Sequence, residues 1–244
     1  EEVQKQRDRL QAYVLSPLGI NSSSRIGHNR IKKAFNDSLS QNKMALALTY
    51  SIPGPKMTFQ GDEDADLTPF RFFRQFESVP HEEYLYIEKG YEPGKSALEK
   101  STLGKIAYSE AGAKRMEQFK NLTRDLNKLN DENPAIRLGN VDKSSIVDHP
   151  MSQVVAFSSK DETSNNEIFT ITNAGETNYR EDKDNEYWIK FPKGRWVEVL
   201  NTDDEKYGGT SRHLNEGEVI HGDGSTNMPI NLAGYSTVCF KRVG

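Results

Sequence analysis

The residues with the clearest capacity for chemistry are carboxylates that follow a single glycine. Directly after Gly61, at the end of the segment KMTFQ (residues 56–60), the chain carries Asp62, Glu63, Asp64 and Asp66. Because loops after the carboxyl ends of parallel strands often bind substrates, we consider Asp62 and Glu63 candidate substrate-binding residues. A solvated, charged loop without a function is the alternative interpretation.

The same loop lacks the spacing of a calcium site. Asp62, Asp64 and Asp66 match the first ligand positions of an EF-hand, but position six is Leu67 and position twelve is Phe73. The sequence also contains no phosphate-binding loop, zinc-protease motif, serine-hydrolase motif or Cys/His cluster. We therefore expect no catalytic residue, no metal and no cofactor in this chain.

Two histidine arrangements could in principle form further sites. His28 is followed by Asn29 at the start of a helical pattern, and His213 precedes His221 by eight residues across a stretch containing a glycine. From the residues alone, His28 is interpreted as a surface histidine at a helix start. The spacing of the second pair matches no catalytic motif.

The acidic loop is preceded by a helix and a sharp turn. Residues 44–52, MALALTYSI, are apolar helix formers in a run too short to cross a membrane, which predicts a buried helix. Pro53 and Pro55 end that helix, because proline lacks an N–H and disfavours helical geometry in the residue before it. Residues 56–60 are partly β-prone and are predicted to form a strand.

Apolar spacing predicts three further helices, at residues 1–15, 26–39 and 109–130. The last is the clearest, with an apolar stripe consisting of Met116, Phe119, Leu122, Leu126 and Leu129. Asn133 and Pro134 are predicted to end it. Residues 68–100 form an irregular excursion rich in phenylalanine and tyrosine, whose rings are predicted either to pack in a core or to stack on sugars.

After Gly139 the chain changes to short β-prone runs separated by polar turns. Strands are predicted at residues 154–157, 167–172, 187–191, 196–200, 218–220, 229–232 and 236–241. This spacing is typical of an antiparallel sandwich. Alternation in two strands predicts that each is half-buried: Ile168, Thr170 and Thr172 oppose Phe169 and Ile171, and Trp196, Glu198 and Leu200 oppose Val197 and Val199.

Composition limits the class of protein. Hydrophobic residues make up 34% of the chain and charged residues 28%, and the mean hydropathy is −0.77. No apolar run approaches the ~20 residues of a membrane span. A net charge of −4 with scattered lysine and arginine argues against a nucleic-acid partner. Cys239 is the single cysteine, which fits a reducing compartment, and we expect a cytoplasmic location.

Several separated segments resemble one enzyme family, in the order in which that family has them. Gly54, Pro55, Gly61 and Glu63 match the pattern around the eighth barrel strand of the α-amylase superfamily (glycoside hydrolase family 13). Residues 133–139, NPAIRLG, resemble the exit from its last barrel helix. Residues 201–209, NTDDEKYGG, and 233–242, AGYSTVCFKR, resemble a loop and the last strand of its branching enzymes. Within the superfamily the chain looks closest to glucan branching enzymes and maltooligosyl-trehalose trehalohydrolases.

The resemblance implies an α+β fold made of two parts. Residues 1–134 would be the end segment of a (β/α)8 barrel, mainly helical here, with the aromatic-rich excursion at 68–100. Residues 135–244 would form an antiparallel β-sandwich C-terminal domain. An unpaired barrel strand at residues 56–60 would favour self-association. The alternative is a helical layer packed on the sandwich, with contacts supplied by Met116, Phe119, Leu122 and Leu126.

The resemblance also implies a function. The family uses an Asp nucleophile and a Glu acid/base on its fourth and fifth barrel strands. The chain opens EEVQKQRDRL, without an initiator methionine or signal core, and we expect a piece of a longer protein that begins after both residues. At the seventh strand the family has a His-Asp pair that binds substrate, whereas here His28 is followed by the neutral Asn29. The resemblance therefore implies that His28 and Asn29 are candidate substrate-binding residues, and a surface histidine at a helix start is the alternative.

We therefore expect the C-terminal portion of an α-glucan-active enzyme, either a glycoside hydrolase or a 1,4-α-glucan branching enzyme. Its ligand would be α-glucan or maltooligosaccharide, bound by the full-length protein, with no nucleic-acid or membrane partner, and the chain alone would be inactive. One alternative is a non-catalytic, amylase-derived module that binds α-glucan or a protein partner. The other is an unrelated α+β protein.

Overall fold

The computed structural model describes residues 25–58, 110–180, 185–215, 217 and 219–244. The chain divides into two compact units, one of Glu1–Leu39 with Gln60–Glu117 and the other of Ser40–Phe59 with Gln118–Gly244. The described residues of the first unit are helical. Every strand that the structure describes lies in the second unit.

The helices are α1 (Arg25–Ser51), α2 (Glu110–Glu132) and α3 (Pro134–Arg137). The helices predicted at residues 26–39 and 44–52 are confirmed as parts of the continuous α1, because the residues between them, SQNK, include no glycine or proline. The helix predicted at 109–130 is confirmed as α2. After α2, the side chain of Asn133 donates to the carbonyl oxygen of Leu129 at 2.7 Å. None of the described helices combines the length and apolar character of a membrane span.

The predicted strand at residues 56–60 is wrong for the part of it that the structure describes. Residues 55–58 have no regular secondary structure. The chain turns at Gly54, which has a φ of +127°, and Met57 is 80% exposed. No described strand pairs with this segment, so its backbone has no ladder to join. The helix predicted at residues 1–15 and the excursion at 68–100 lie outside the described residues.

Eight strands follow α3. They are β1 (Asn140–His149), β2 (Val154–Asp161), β3 (Asn166–Asn173), β4 (Tyr187–Lys190), β5 (Gly194–Asn201), β6 (Ile220–Gly222), β7 (Asn227–Ile230) and β8 (Ser236–Arg242). Six of the seven predicted strands are confirmed. The strand predicted at residues 218–220 shares only Ile220 with β6, and residue 218 lies outside the described residues. Sequence analysis missed β1, because its residues are mostly polar and exposed and it has no apolar alternation.

The strands form two antiparallel sheets. The larger has the order β1-β2-β3-β8-β5-β6, and the smaller pairs β4 with β7. Strand β1 lies at one edge of the larger sheet and pairs with β2 through an irregular register between Asp142 and Val147. An edge position explains its exposed, polar sequence, since only one of its sides meets another strand.

Both faces of the larger sheet are covered. On one face Phe169, Trp196 and Phe240 pack with residues of the smaller sheet, such as Ile189 and Ile230. On the other face the sheet packs against helical residues, and that cluster includes Ala47, Tyr50, Leu122, Leu126, Ile168, Leu200 and Cys239. The expectation that β3 is half-buried is therefore wrong: its residues from Glu167 to Asn173 are all buried.

Strand β5 contains a β-bulge that changes which side its residues face. Glu198 pairs with Phe240 and Leu200 pairs with Cys239, so Val199 is an extra residue between them. Consequently Trp196 packs in the cluster under the smaller sheet, whereas Leu200 packs in the cluster with the helices. The prediction that Trp196 and Leu200 share one side of the strand is wrong for this reason.

Candidate functional site

The structure describes the backbone of two of the four candidate residues from the sequence. His28 and Asn29 lie near the N-terminal end of α1. Asp62 and Glu63 lie outside the described residues. All four assignments stay predictions.

A buried polar cluster instead occupies the segment of residues 201–215, here called the 201–215 loop. At its centre Asp203 accepts hydrogen bonds from the backbone N–H of Thr210 at 2.9 Å and from the Thr210 hydroxyl at 3.0 Å. His213 Nδ1 lies 2.9 Å from the same carboxylate, and the His213 backbone N–H donates to it at 3.3 Å. Asp203 and His213 are 7% and 6% exposed. The loop is therefore closed around one carboxylate.

Amide side chains extend this cluster to strand β5. Asn201 accepts from the backbone N–H of Asp203 at 3.0 Å and donates to the carbonyl oxygen of His213 at 2.9 Å. Glu198 accepts from the Asn215 side chain at 2.8 Å and from its backbone N–H at 3.0 Å. These bonds satisfy the buried polar groups and fix the two ends of the loop to each other.

The loop is also fixed to both long helices. The hydroxyl of Tyr207, which is 1% exposed, donates to Asp125 of α2 at 2.6 Å. Lys43 of α1 donates to the carbonyl oxygen of Tyr207 at 3.0 Å. At Gly209 a Cβ would lie 2.0 Å from the carbonyl oxygen of Asp203, so the close turn accepts only glycine.

The charge states follow from burial and hydrogen bonding. Burial alone would raise the pKa of Asp203, but the bonds from His213 and Thr210 outweigh it, and the pKa is lowered. Burial lowers the pKa of Lys43 to about 8, while the Asp203 carboxylate opposes that shift. Burial and the bond to Asp125 raise the pKa of Tyr207 far above its usual value. Asp203 is thus an ionised carboxylate at neutral pH.

The Asp203–His213 pair resembles two members of a hydrolase triad, but it does not form an active site. Within the described residues no serine or cysteine side chain bonds to His213, so no nucleophile completes the arrangement. Both side chains are only 8% exposed. The pair therefore stabilises the loop.

A second polar region is open to solvent and lies on the smaller sheet. Residues of β4 alternate, with Tyr187 and Ile189 buried and Trp188 and Lys190 exposed. In the antiparallel register Trp188 pairs with Pro229 and Lys190 pairs with Asn227. We call these four outward residues, Trp188, Lys190, Pro229 and Asn227, the Trp188 face.

An open groove of about 440 Å³ adjoins this face. Its lining consists of Ile146, Val147, Asp148, His149, Lys190 and Asn227. Lys190 and Asn227 belong to both features, so the groove and the Trp188 face are continuous. The groove combines a carboxylate, an ammonium, an imidazole and an amide with two aliphatic side chains, which allows it to contact both polar and apolar parts of a ligand.

One wall of the groove is held in place by His149. Its Nδ1 lies 2.6 Å from the hydroxyl oxygen of Tyr187, and the two rings meet edge to face with centroids 5.8 Å apart. Burial, with a smaller contribution from Tyr179, raises the pKa of Tyr187 to about 12. The Tyr187 hydroxyl therefore keeps its proton at neutral pH.

Sequence analysis missed both regions. Asp203 and His213 are ten residues apart in an irregular loop, and no local pattern predicts their contact. For Trp188 a signal existed, because the alternation YWIK in a predicted strand places Trp188 and Lys190 on one face. No group of three metal-ligating side chains occurs in the part of the chain that the structure describes.

The all-β region matches a known family model. The model of the α-amylase C-terminal all-beta domain matches residues 145–243. The antiparallel β-sheets of the structure agree with that description.

One relative of this chain is a glucan branching enzyme, which is an enzyme type that the sequence resembles. The 1,4-alpha-glucan branching enzyme GlgB from Cutibacterium acnes is 29% identical over 134 residues. This match covers 52% of the present chain and 19% of the branching enzyme.

Two synthases are among the solved structures that match this chain. The isomaltulose synthase SmuA from Protaminobacter rubrum is 14% identical, with a TM-score of 0.47, over 84% of this chain and 38% of the synthase. The trehalulose synthase MutB from Pseudomonas mesoacidophila MX-45 is 14% identical, with a TM-score of 0.46, over 83% of this chain and 38% of the synthase.

The present chain therefore corresponds to only a part of each of these proteins. The resemblance drawn from the sequence is confirmed: residues 145–243 match the α-amylase C-terminal all-beta domain, and the chain is similar to the C-terminal portion of an α-amylase superfamily (glycoside hydrolase family 13) protein.

Proposed function

We propose that this chain is the C-terminal portion of an α-glucan-active enzyme, either a glycoside hydrolase or a 1,4-α-glucan branching enzyme. The observation that carries the proposal is the match of residues 145–243 to the α-amylase C-terminal all-beta domain. The similarity to a glucan branching enzyme supports the choice of substrate class.

In this proposal the chain supplies no catalytic pair. Retaining glycosidases and transferases of this kind need a nucleophilic carboxylate and a protonated acid about 5–5.5 Å apart. Both carboxylates that are buried in the described residues are already engaged: Asp203 by Thr210 and His213, and Glu167 by Arg242 and Lys160. This geometry favours a stabilising role for the domain.

The finer assignments of fold and residues are part of the proposal. We propose that residues 1–134 are the end segment of a (β/α)8 barrel and residues 135–244 the C-terminal domain. The helical spans of α1 and α2 support the first assignment. In the whole enzyme His28, Asn29, Asp62 and Glu63 would contact the substrate.

The partners and location follow from the same proposal. The ligand would be α-glucan or maltooligosaccharide, bound by the full-length protein in the cytoplasm. Self-association through residues 56–60 stays a prediction, which sedimentation velocity of the 244-residue chain tests directly. A concentration-dependent dimer would support it, and a monomer at all concentrations would contradict it.

The experiment that tests the function compares two proteins. One is encoded by the complete reading frame, and the other consists of residues 1–244. We expect the longer protein to lower the iodine absorbance of amylose or to release reducing ends. We expect residues 1–244 to do neither, since both carboxylates of the mechanism are required.

Two outcomes would contradict the proposal. Activity of residues 1–244 that copurifies with the chain would show that a catalytic pair lies within it. An inactive longer protein that still binds glucan would favour the second candidate, a non-catalytic amylase-derived module. The observation that favours this module is the neutral Asn29 after His28, where the family has an aspartate.

A further inference from the structure

We propose that the Trp188 face and the adjoining groove form a binding site for a chain of α-1,4-linked glucose units. This inference rests on the proposed function for its choice of sugar. The existence of a carbohydrate site is argued from the geometry of the face itself.

The first step is the indole of Trp188. Trp188 is 48% exposed, so part of its indole is accessible to a ligand. Its Nε1 donates to the Glu186 carboxylate at 3.1 Å, and its backbone is held by the pairing of β4 with β7. A ring that is already oriented loses less conformational entropy when a ligand stacks on it. The C–H face of a pyranose is suited to such stacking.

The second step is the chemistry next to the ring. Lys190 follows Trp188 by two residues on the same face of β4, which places its Cα about 6–7 Å away. Asn227 pairs with Lys190, and both line the groove with Asp148 and His149. Together these side chains offer donors and acceptors for hydroxyl groups. A sugar presents an apolar ring face and a polar rim, which matches this combination.

The same composition argues against an apolar protein partner. A hydrophobic helix or strand seated in the groove would bury the charged groups of Asp148 and Lys190 without partners, at a cost of several kcal/mol. Sugar hydroxyls can bond to both. The volume of about 440 Å³ lies within the usual range of small-ligand sites and suits a short oligosaccharide.

The third step is the linkage of the glucan. An α-1,4 chain curves, so that one unit can stack on a single ring while the next units enter a neighbouring groove. A flat β-1,4 chain instead requires several coplanar rings in a row. The described part of the face offers one ring, Trp188, beside a groove. The shape therefore favours the α-linked polymer.

The chain contains two tryptophans, which makes the proposal testable by fluorescence. Trp196 is 0% exposed and donates from Nε1 to the carbonyl oxygen of Pro192 at 2.8 Å. Iodide should therefore quench Trp188 and leave Trp196 unaffected. We expect saturating maltoheptaose to reduce the quenching constant of the 244-residue chain at least twofold, with a dissociation constant of about 1 mM, near −4 kcal/mol.

Single substitutions on the Trp188 face test which side chains bind the sugar. Trp188→Ala should weaken binding to maltoheptaose and retardation in amylose gels at least tenfold, whereas Trp188→Phe should retain part of the binding because a ring remains. Lys190→Ala should weaken binding less than Trp188→Ala. The matched control is Leu138→Ala, which removes another exposed apolar side chain, 73% exposed, beyond the opposite end of β1. We expect this control to bind as the unmodified chain does.

Three results would overturn the proposal: no protection of Trp188 by maltoheptaose, equal binding by the folded Trp188→Ala variant, or equal protection by cellohexaose. The last would leave a carbohydrate site but remove its α-selectivity. Unchanged circular dichroism and melting temperature would show that the variants are folded. These binding measurements need no catalysis, so they test the site separately from the proposed function. Absence of maltoheptaose binding would contradict the site even if the longer protein is active on amylose. Binding of maltoheptaose by a longer protein that is inactive on amylose would contradict the proposed function but not the site.

Discussion

The 201–215 loop and the Trp188 face contain related side chains in opposite environments. In the loop, Asp203, His213 and Asn215 are each less than one tenth exposed, and their polar atoms bond to one another or to the backbone. On the face, Trp188 is about half exposed and Lys190 is exposed beside an open groove.

The contrast shows why residue type is a poor guide to function in this domain. A histidine next to an aspartate resembles part of a catalytic site, yet here the pair is buried and closes the 201–215 loop. The tryptophan in a short strand has the appearance of a core residue, yet it lies on the surface. Burial and hydrogen-bond satisfaction distinguish the two roles.

Replacing the central carboxylate should have the largest effect on stability. In Asp203→Asn an amide NH₂ group would replace one of the two oxygens that now accept bonds from Thr210 and His213, leaving buried donors without acceptors. We expect the free energy of unfolding in urea at pH 7 to fall by about 2–4 kcal/mol. Binding of maltoheptaose by the folded variant should be unchanged.

The control and the pH dependence sharpen this prediction. Asp131→Asn, at an exposed position in α2, should change stability by less than about 0.5 kcal/mol. Because the pKa of Asp203 is lowered by folding, its contribution is present above the unfolded value of 3.8 and is lost as the pH falls through the folded value. A stability difference that persists fully at pH 2 would contradict the assignment.

Lys43 should have a smaller effect on the free energy of unfolding, and this effect should appear as the pH rises above 7. Its folded pKa of about 8 lies below the unfolded value of 10.5, so the unfolded chain binds more protons between these values. The contribution of Lys43 to the free energy of unfolding therefore rises with pH between about 8 and 10.5. Relative to Lys43→Met, the unmodified chain should gain about 1 kcal/mol between pH 7 and pH 9.

Comparison of the two chains at each pH cancels the other titrating groups. Burial raises the pKa of Cys239 to about 11 and that of Tyr187 to about 12, so both groups reduce stability as the pH rises through and beyond 9 to 10. Parallel stability curves for the unmodified chain and Lys43→Met would show that Lys43 is not the titrating group.

The smallest stability effect is expected on the open face. Because the Trp188 side chain is half exposed, Trp188→Ala should alter the free energy of unfolding by less than about 0.5 kcal/mol. Differential scanning calorimetry checks this. A loss comparable to that of Asp203→Asn would mean that Trp188 supports the core, and the contrast between the two regions would disappear.

The sequence predicted much of the fold because its signals were local. The apolar stripe of α2 and the period-two runs of the strands depend only on neighbouring residues. The polar edge strand β1 has no such signal, and it forms because β2 lies beside it. Likewise the burial of β3 on both faces depends on helices far away in sequence.

The candidate sites were less predictable for a related reason. The resemblance identified the segment NTDDEKYGG but gave no reason for its glycines. That reason is a contact, since the second glycine touches the backbone of Asp203. The pairing of Asp203 with His213, and the groove shared by β1, β4 and β7, exist only after the chain has folded.

The bulge at Val199 has a consequence for how this domain tolerates insertions and deletions. It allows one strand to supply Trp196 to one core and Leu200 to the other, although an even spacing of four positions would place both on the same side of a regular strand. Removing this single residue would restore strict alternation and turn either the indole or the leucine away from its core. We therefore expect the domain to be intolerant of a one-residue deletion at this position, where chain length matters more than side-chain identity.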